Sequence, residues 1–208
     1  MAGIYAVTIT DAKGCTKIVS GISVTQPAAG LSLSATQINP SCNGSTNGSI
    51  DLSVTGGTAG YGYAWTGPGG FTSSSEDIGS RPAGTYSVVV TDSKGCTANL
   101  SVTLTQPAVL SLSTSITHPS CPSTVTTLGN NGAINLTVTG GTTAYGFVWT
   151  ASNGGIVPGG QANQEDLTLL VAGTYSVTVT DSKGCTATTS ATLTNLNPIP
   201  VQPGVINH

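Results

Sequence analysis

Five cysteines, Cys15, Cys42, Cys96, Cys121 and Cys185, hold most of the chemistry this sequence can do, and they are of two kinds. Cys42 and Cys121 each follow a Pro-Ser pair. Cys15, Cys96 and Cys185 each follow Lys-Gly. None lies in the CxxC or Cys/His spacing of a zinc site, so their regular recurrence points to disulfide formation and hence to an exported protein.

The remaining polar groups offer less. Glu76-Asp77 and Glu165-Asp166 are adjacent carboxylates, but neighbours on a strand point to opposite faces and cannot share one substrate, so solvated loop charge is expected. Calcium needs six to eight oxygens, and Asp92, Asp181 and these pairs form no DxDxD cluster to supply them. His118 stands beside Pro119, and neither it nor His208 is near a serine or cysteine in a nucleophile motif. No catalytic residue, no metal site and no cofactor is expected. Asn43, Asn47, Asn99 and Asn135 sit in N-x-Ser/Thr triplets, which matter only in a glycosylating host. Tyr61, Tyr63, Tyr145 and Phe147 could stack on a glycan, yet alternation is expected to turn half of them inward, which favours core packing.

The elements that position these residues are repeats. AGIYAVTITDAKGCT (2–16) returns as AGTYSVVVTDSKGCT (83–97) and AGTYSVTVTDSKGCT (172–186). GGTAGYGYAWT (56–66) returns as GGTTAYGFVWT (140–150), and PSCNGSTNGSI (40–50) as PSCPSTVTTLGNNGAI (119–134). The spacings, 81 residues from Gly3 to Gly84 and 89 from Gly84 to Gly173, are those of one small domain per repeat with insertions in loops. Met1 is followed at once by this internal block, so it reads as an imposed start inside a longer array.

Within each repeat the apolar residues alternate with Ser and Thr, and Gly or Asn punctuates every eight to fifteen residues, which is all-β spacing. Strands are expected near 31–38, 49–55, 61–66, 70–73, 76–79, 85–91 and 96–105. They are expected again near 110–117, 133–139, 145–150, 154–157, 166–171, 174–180 and 185–194. Asp-Ser-Lys-Gly at 92–95 and 181–184 is a tight hairpin turn, in which Asp bonds the turn backbone and Gly takes a positive φ. Trp65 and Trp149 end short aromatic strands and should fill the space between two sheets, with Tyr86 and Tyr175 beside them in the core. Seven short strands, one central Trp and a late Gly-x-Tyr strand describe an immunoglobulin-like β-sandwich; a closed barrel is the alternative.

The expected organisation is a truncated hairpin at 1–28, sandwich modules at 29–107 and 108–195 stacked end to end, and a Pro-rich tail or linker at 196–208. The boundaries fall at Thr25-Gln26-Pro27-Ala28 and Thr105-Gln106-Pro107-Ala108, where Pro ends the last strand. The 1–28 hairpin should be covered by another chain or segment, since a lone pair of strands is marginal. Parity pairs Cys42 with Cys96 and Cys121 with Cys185 inside modules. Against that, the loop after the first strand and the loop before the last lie at opposite ends of such a sandwich, ~25 Å apart, whereas a disulfide needs Cα atoms within about 7 Å. A link between successive modules, Cys42 to Cys185, stays open beside the within-module pairs, and Cys15, Cys96 and Cys121 would then take partners outside the chain.

Five Lys and Arg against eight Asp and Glu in 208 residues leave a nearly uncharged, hydroxyl-rich chain of net charge -3. No basic cluster exists to grip nucleic acid or anionic lipid. The longest apolar run, Leu167 to Gly173, falls far short of the ~18 residues of a membrane span.

The block order PSCNGSTNGSI, GGTAGYGYAWT, AGTYSVVVTDSKGCTANLSVTLTQP resembles the SprB-type repeat of large adhesins exported by gliding bacteria. More distantly it is similar to the polycystic-kidney-disease type of immunoglobulin-like domain. The resemblance covers roughly nine-tenths of the chain and departs from the pattern at Ser123–Leu128 and Gly159–Asn163, where loops are longer. It implies an extracellular, cell-surface filament or adhesin without catalytic activity, serving surface attachment or gliding motility. Its partners would be neighbouring modules, other copies of the chain or surface glycans. A carbohydrate-binding accessory module of a secreted enzyme is the alternative.

Overall fold

The computed structural model describes residues 2–26, 29–120 and 129–195. Pro27 and Ala28 at the expected boundary, the variable loop at Ser123–Leu128, Cys121, Met1, His208 and the expected tail at 196–208 lie outside them. The chain divides into two compact units, one of Met1–Ile38 and Gly48–Leu104, the other of Asn39–Asn47 and Thr105–His208. Apart from one 3-10 turn at Pro68–Gly70, the regular elements among the described residues are all β-strands.

In the first unit the strands are β1 (Gly3–Thr10), β2 (Thr16–Val24), β3 (Ser32–Ile38), β4 (Gly48–Thr55), β5 (Gly62–Gly67), β6 (Phe71–Ser73), β7 (Ile78–Arg81), β8 (Gly84–Thr91) and β9 (Thr97–Leu104). β3, β4 and β7 form one antiparallel sheet in the order β3-β4-β7, and the other runs β6-β5-β8-β9. The alternation dictates which faces meet. Ile50 and Leu52 of β4 and Ile78 of β7 pack against Trp65 of β5, Tyr86, Val88 and Val90 of β8, and Val102 and Leu104 of β9. The intervening Ser, Thr and Asn point to water. This is an immunoglobulin-like sandwich in which the short strand after the Trp strand has joined the sheet of the final hairpin.

The second unit repeats the plan with β10 (Ser111–Thr117), β11 (Gly132–Thr139), β12 (Tyr145–Ser152), β13 (Leu167–Leu170), β14 (Gly173–Asp181) and β15 (Thr186–Leu193). Its sheets are β10-β11-β13 and β12-β14-β15. Ile134, Leu136, Leu167 and Leu170 on one side meet Trp149, Tyr175, Val177, Val179, Ala191 and Leu193 on the other. The strand expected at 154–157 does not form. β12 runs on to Ser152, Asn153 and Gly154 turn at positive φ, and the inserted loop meets the β12 backbone at Trp149 N–H, which donates to the Ala162 carbonyl at 2.9 Å, where the first unit has a three-residue strand.

β1 and β2 pair as an antiparallel hairpin whose residues are all exposed. Gly21, at φ +79, absorbs the one residue by which β2 exceeds β9, and the register shifts beside it, between Tyr5 and Val7. Ile4, Val7, Ile9, Ile18 and Val24 are left in solvent, so the cover expected for this hairpin is not supplied by the described residues of the chain.

Two glycines fix how the first strand enters each sandwich. Gly56 (φ +71) and Gly140 (φ +73) lie so close to the chain entering β3 and β10 that a Cβ would run into the carbonyls of Gly30 and Val109 respectively. The following residues bond there, Gly57 N–H to the Ala29 carbonyl at 3.0 Å and Gly141 N–H to the Ala108 carbonyl at 2.9 Å.

Candidate functional site: the cystine loop and the carboxylate-braced hairpin

Each final hairpin is organised by one aspartate. Asp181 is 5% exposed; its Oδ1 accepts the N–H groups of Lys183 at 2.9 Å and Cys185 at 2.8 Å, and its Oδ2 accepts that of Thr142 at 2.8 Å. Asp92 does the same with Lys94 (2.9 Å), Cys96 (2.8 Å) and Thr58 (2.9 Å). The carboxylate thus ties the turn that carries a cysteine to the Gly-Gly loop before the Trp strand. The bond from Thr58, followed by those from Cys96 and Lys94, holds the Asp92 carboxyl below its usual range against the opposing effect of burial. At Asp181 burial acts first and upward, but the N–H groups of Cys185, Thr142 and Lys183 outweigh it and the net shift is again downward. Asp11 makes the two local bonds, to Lys13 and Cys15 at 2.9 Å each.

Cys185, presented in this way, is bonded to Cys42, with Cα atoms 5.7 Å apart and 143 positions between them in sequence. Cys42 lies on segment 39–47, which packs within the second unit although it joins β3 to β4 of the first. The segment is held by more than the cystine. Gly44 N–H donates to Gln106 Oε1 at 2.8 Å, Asn43 Nδ2 donates to the Pro107 carbonyl at 3.0 Å, and Thr105 N–H donates to Asn39 Oδ1 at 2.9 Å. Inside the segment Asn47 Oδ1 accepts from Ser41 N–H at 3.0 Å while its Nδ2 donates to Ser41 Oγ at 2.8 Å, which fixes the Pro-Ser-Cys turn.

The equivalent turn of the second repeat is framed identically up to Ser120. Asn131 exchanges the same two bonds with Ser120, each 2.8 Å, and His118 Nδ1 replaces Asn39 Oδ1 by accepting Thr194 N–H at 3.0 Å. His118 is therefore a structural acceptor. Cys121, next in sequence, lies outside the described residues. Cys15 and Cys96 are exposed free thiols.

The other expected site residues are accounted for by packing. Trp65 and Trp149 are 1% and 4% exposed; Trp65 Nε1 donates to the carbonyls of Ser75 (3.0 Å) and Glu76 (3.1 Å), and Trp149 Nε1 to that of Gln164 (2.9 Å). Tyr86 and Tyr175 are buried, and their hydroxyls reach back four residues to the Pro82 and Val171 carbonyls at 3.0 Å each. That is the tyrosine corner of immunoglobulin-like sandwiches. Asp77 and Asp166 take the N–H groups of Leu52 and Leu136, both at 2.9 Å, so one carboxylate of each pair is a clasp from the start of β7 or β13 onto the neighbouring strand of the same sheet.

The expectation that alternation would send half of Tyr61, Tyr63, Tyr145 and Phe147 outward does not hold. They share the parity of Trp65 and Trp149, so all four lie against the core, and the hydroxyls of Tyr61 and Tyr145 are spent on the Gly56 and Gly140 carbonyls at 2.6 Å. Of the residues in glycosylation-type triplets, Asn43 uses its amide to tie the cystine segment to Pro107, and Asn47 uses its own inside that segment.

Sequence reasoning missed Gln106, Asn39 and Asn47. The signal was present, because Thr-Gln-Pro and the Asn or His before Pro-Ser-Cys recur in step with the cysteines. Among the described residues no group of three or more His, Cys, Asp or Glu could hold a metal ion, and no helix is long and apolar enough to cross a membrane.

Residues 34–70 match the family model of the SprB repeat. No curated protein matches the chain. Among solved structures, the N-terminal eight immunoglobulin domains of Down Syndrome Cell Adhesion Molecule align over 94% of this chain and 28% of that one, at 12% identity and a TM-score of 0.47. Immunoglobulin domains 1–4 of Sidekick-1 align over 94% of this chain and 59% of that one, at 13% identity and a TM-score of 0.37. Domains 7, 8 and 9 of the S-layer protein SbsC align over 93% of this chain and 69% of that one, at 15% identity and a TM-score of 0.23. The chain thus spans about a quarter of the first of these and under two thirds of the second. The sandwich assignment stands on the strand order and the tyrosine corners.

Proposed function

We propose that the chain is a structural segment of a secreted, cell-surface adhesive filament, built of non-catalytic repeats that are fastened to one another covalently and serving surface attachment or gliding. The observation that carries this reading is the Cys42–Cys185 bond, which joins successive repeats. Such a bond persists in an oxidising, extracellular setting. A polymer of small sandwiches whose repeats are cross-linked transmits tension without relying on the weak contacts of an uncharged surface. The match of residues 34–70 to the SprB repeat supports the same reading. Surface glycans are the partner class for the adhesive role, and a glycan array probed with the oxidised chain tests it.

The direct test uses the organism that makes the protein. Antibodies to residues 29–195 should label intact, unpermeabilised cells, and deletion of the region should reduce attachment or surface movement. Labelling that requires permeabilisation overturns the surface reading.

A further inference from the structure

The first unit carries an open counterpart of the surface that, in the second unit, receives segment 39–47. In the second unit segment 39–47 is bonded to Thr105, Gln106 and Pro107, on the chain entering β10, and to Cys185 on its aspartate-braced turn. In the first unit a cavity of about 330 Å³ is lined by Gln26, Gly30, Leu31, Gly57, Cys96 and Thr97, among others. Several of these have counterparts in the second unit, although the entering chain is one residue longer here, with five positions from Gln26 to Leu31 against four from Gln106 to Leu110. Gln26 matches Gln106, Gly57 matches Gly141 through the same bond to the entering strand, and Cys96 matches Cys185 through the same pair of N–H bonds to its aspartate. Gly30 stands where the second unit has Val109. Cys96 is exposed here, whereas Cys185, covered by segment 39–47, is half-buried.

We infer that this groove is a docking site for the Pro-Ser-Cys turn of another repeat of the same kind, closed by a disulfide to Cys96. The occupant is specified by what fills the second unit: a turn that points its cysteine at the hairpin thiol, offers a backbone N–H to the Gln amide oxygen, and is pre-shaped by the Ser41–Asn47 clasp. The inference rests on the reading of disulfide-fastened repeats and adds the site and its ligand; it is independent of where the filament is displayed. Formation of the bond removes two electrons and two protons from the two thiols. An oxidised disulfide, of an oxidoreductase or of a small thiol, takes them up and becomes a dithiol.

The probe is a capped peptide of residues 39–47, Asn-Pro-Ser-Cys-Asn-Gly-Ser-Thr-Asn, activated as the mixed disulfide with nitrothiobenzoate and added to the oxidised full chain. The Cys96 thiolate attacks the peptide sulfur, a new S–S bond forms, and the coloured nitrothiobenzoate leaves with the electron pair of the old bond. Cys15 is the internal control, since it sits on the same kind of braced turn, joining two strands whose residues are all exposed. The expected result is capture on Cys96 faster than on Cys15 by a factor of about ten. A scrambled peptide should lose that preference, and Gln26→Ala should diminish it. Equal capture at the two cysteines, or the same preference with the scrambled peptide, overturns the docking site while leaving Cys42–Cys185 untouched. Absence of the Cys42–Cys185 bond from the starting protein instead overturns the reading on which it rests.

Discussion

At the scale of single residues, the fold depends on a few large or multiply bonded side chains set among Ser, Thr and Gly. Trp65 and Trp149 are the largest of them, each buried in its own core. Trp65→Ala or Trp149→Ala should cost about 3–5 kcal/mol, read by denaturant unfolding. Tyr86→Phe keeps the ring and strands the Pro82 carbonyl, so about 1 kcal/mol is expected there. The two braced aspartates predict a pH dependence. Both carboxyls titrate below their usual range in the folded chain, so their contribution is fully present above the unfolded value of about 3.9 and is lost as pH falls through the folded values. The melting temperature should hold from pH 7 to pH 5 and fall steadily below about pH 4. Asp181→Asn, whose amide must present an N–H to one of three N–H donors, should lower the melting temperature at pH 7 and flatten the acid slope. An acid slope unchanged in Asp92→Asn and Asp181→Asn variants would contradict this role.

At the scale of elements, the strands and the two-sheet plan were legible because period-two alternation leaves one choice of inner face. The hairpin turns were legible because Asp and Gly have fixed duties in them. Where reading by pattern failed, a local rule was applied without its phase, or a long-range contact decided. The aromatic residues at 61, 63, 145 and 147 needed only to be counted against the Trp positions to be placed inside. The strand expected at 154–157 was lost to a loop insertion that meets the β12 backbone at Trp149 N–H in place of a strand ladder. That the hairpin aspartate also bonds Thr58 or Thr142, 34 and 39 positions away, has no local signature at all. The hairpin of β1 and β2 shows the same physics in reverse. With the apolar side chains of both strands in solvent, two strands are marginal. Hydrogen exchange should find the paired amides of β1 and β2 roughly a thousandfold less protected than those of Val88 and Val90 in β8. Protection that rises with protein concentration would identify a second copy of the chain as the cover.

At the scale of the whole molecule, the repeat is the unit of sequence, yet the cystine does not respect it. Within-module parity was the simpler arithmetic, and the separation between the two loop ends of a sandwich argued against it. The observed Cys42–Cys185 bond follows the topology. In the chain-entropy account a closed loop of that length is worth about 5 kcal/mol, so Cys42→Ser together with Cys185→Ser should lower stability noticeably and release segment 39–47 to proteolysis. The choice of partner, more than its energy, distinguishes a covalently fastened array from a string of independently stapled beads. Peptide mapping of the unreduced chain decides it most directly. The expected result is a single cross-linked species containing Cys42 and Cys185, with Cys15 and Cys96 alkylated as free thiols. A Cys42–Cys96 or Cys121–Cys185 peptide would contradict it.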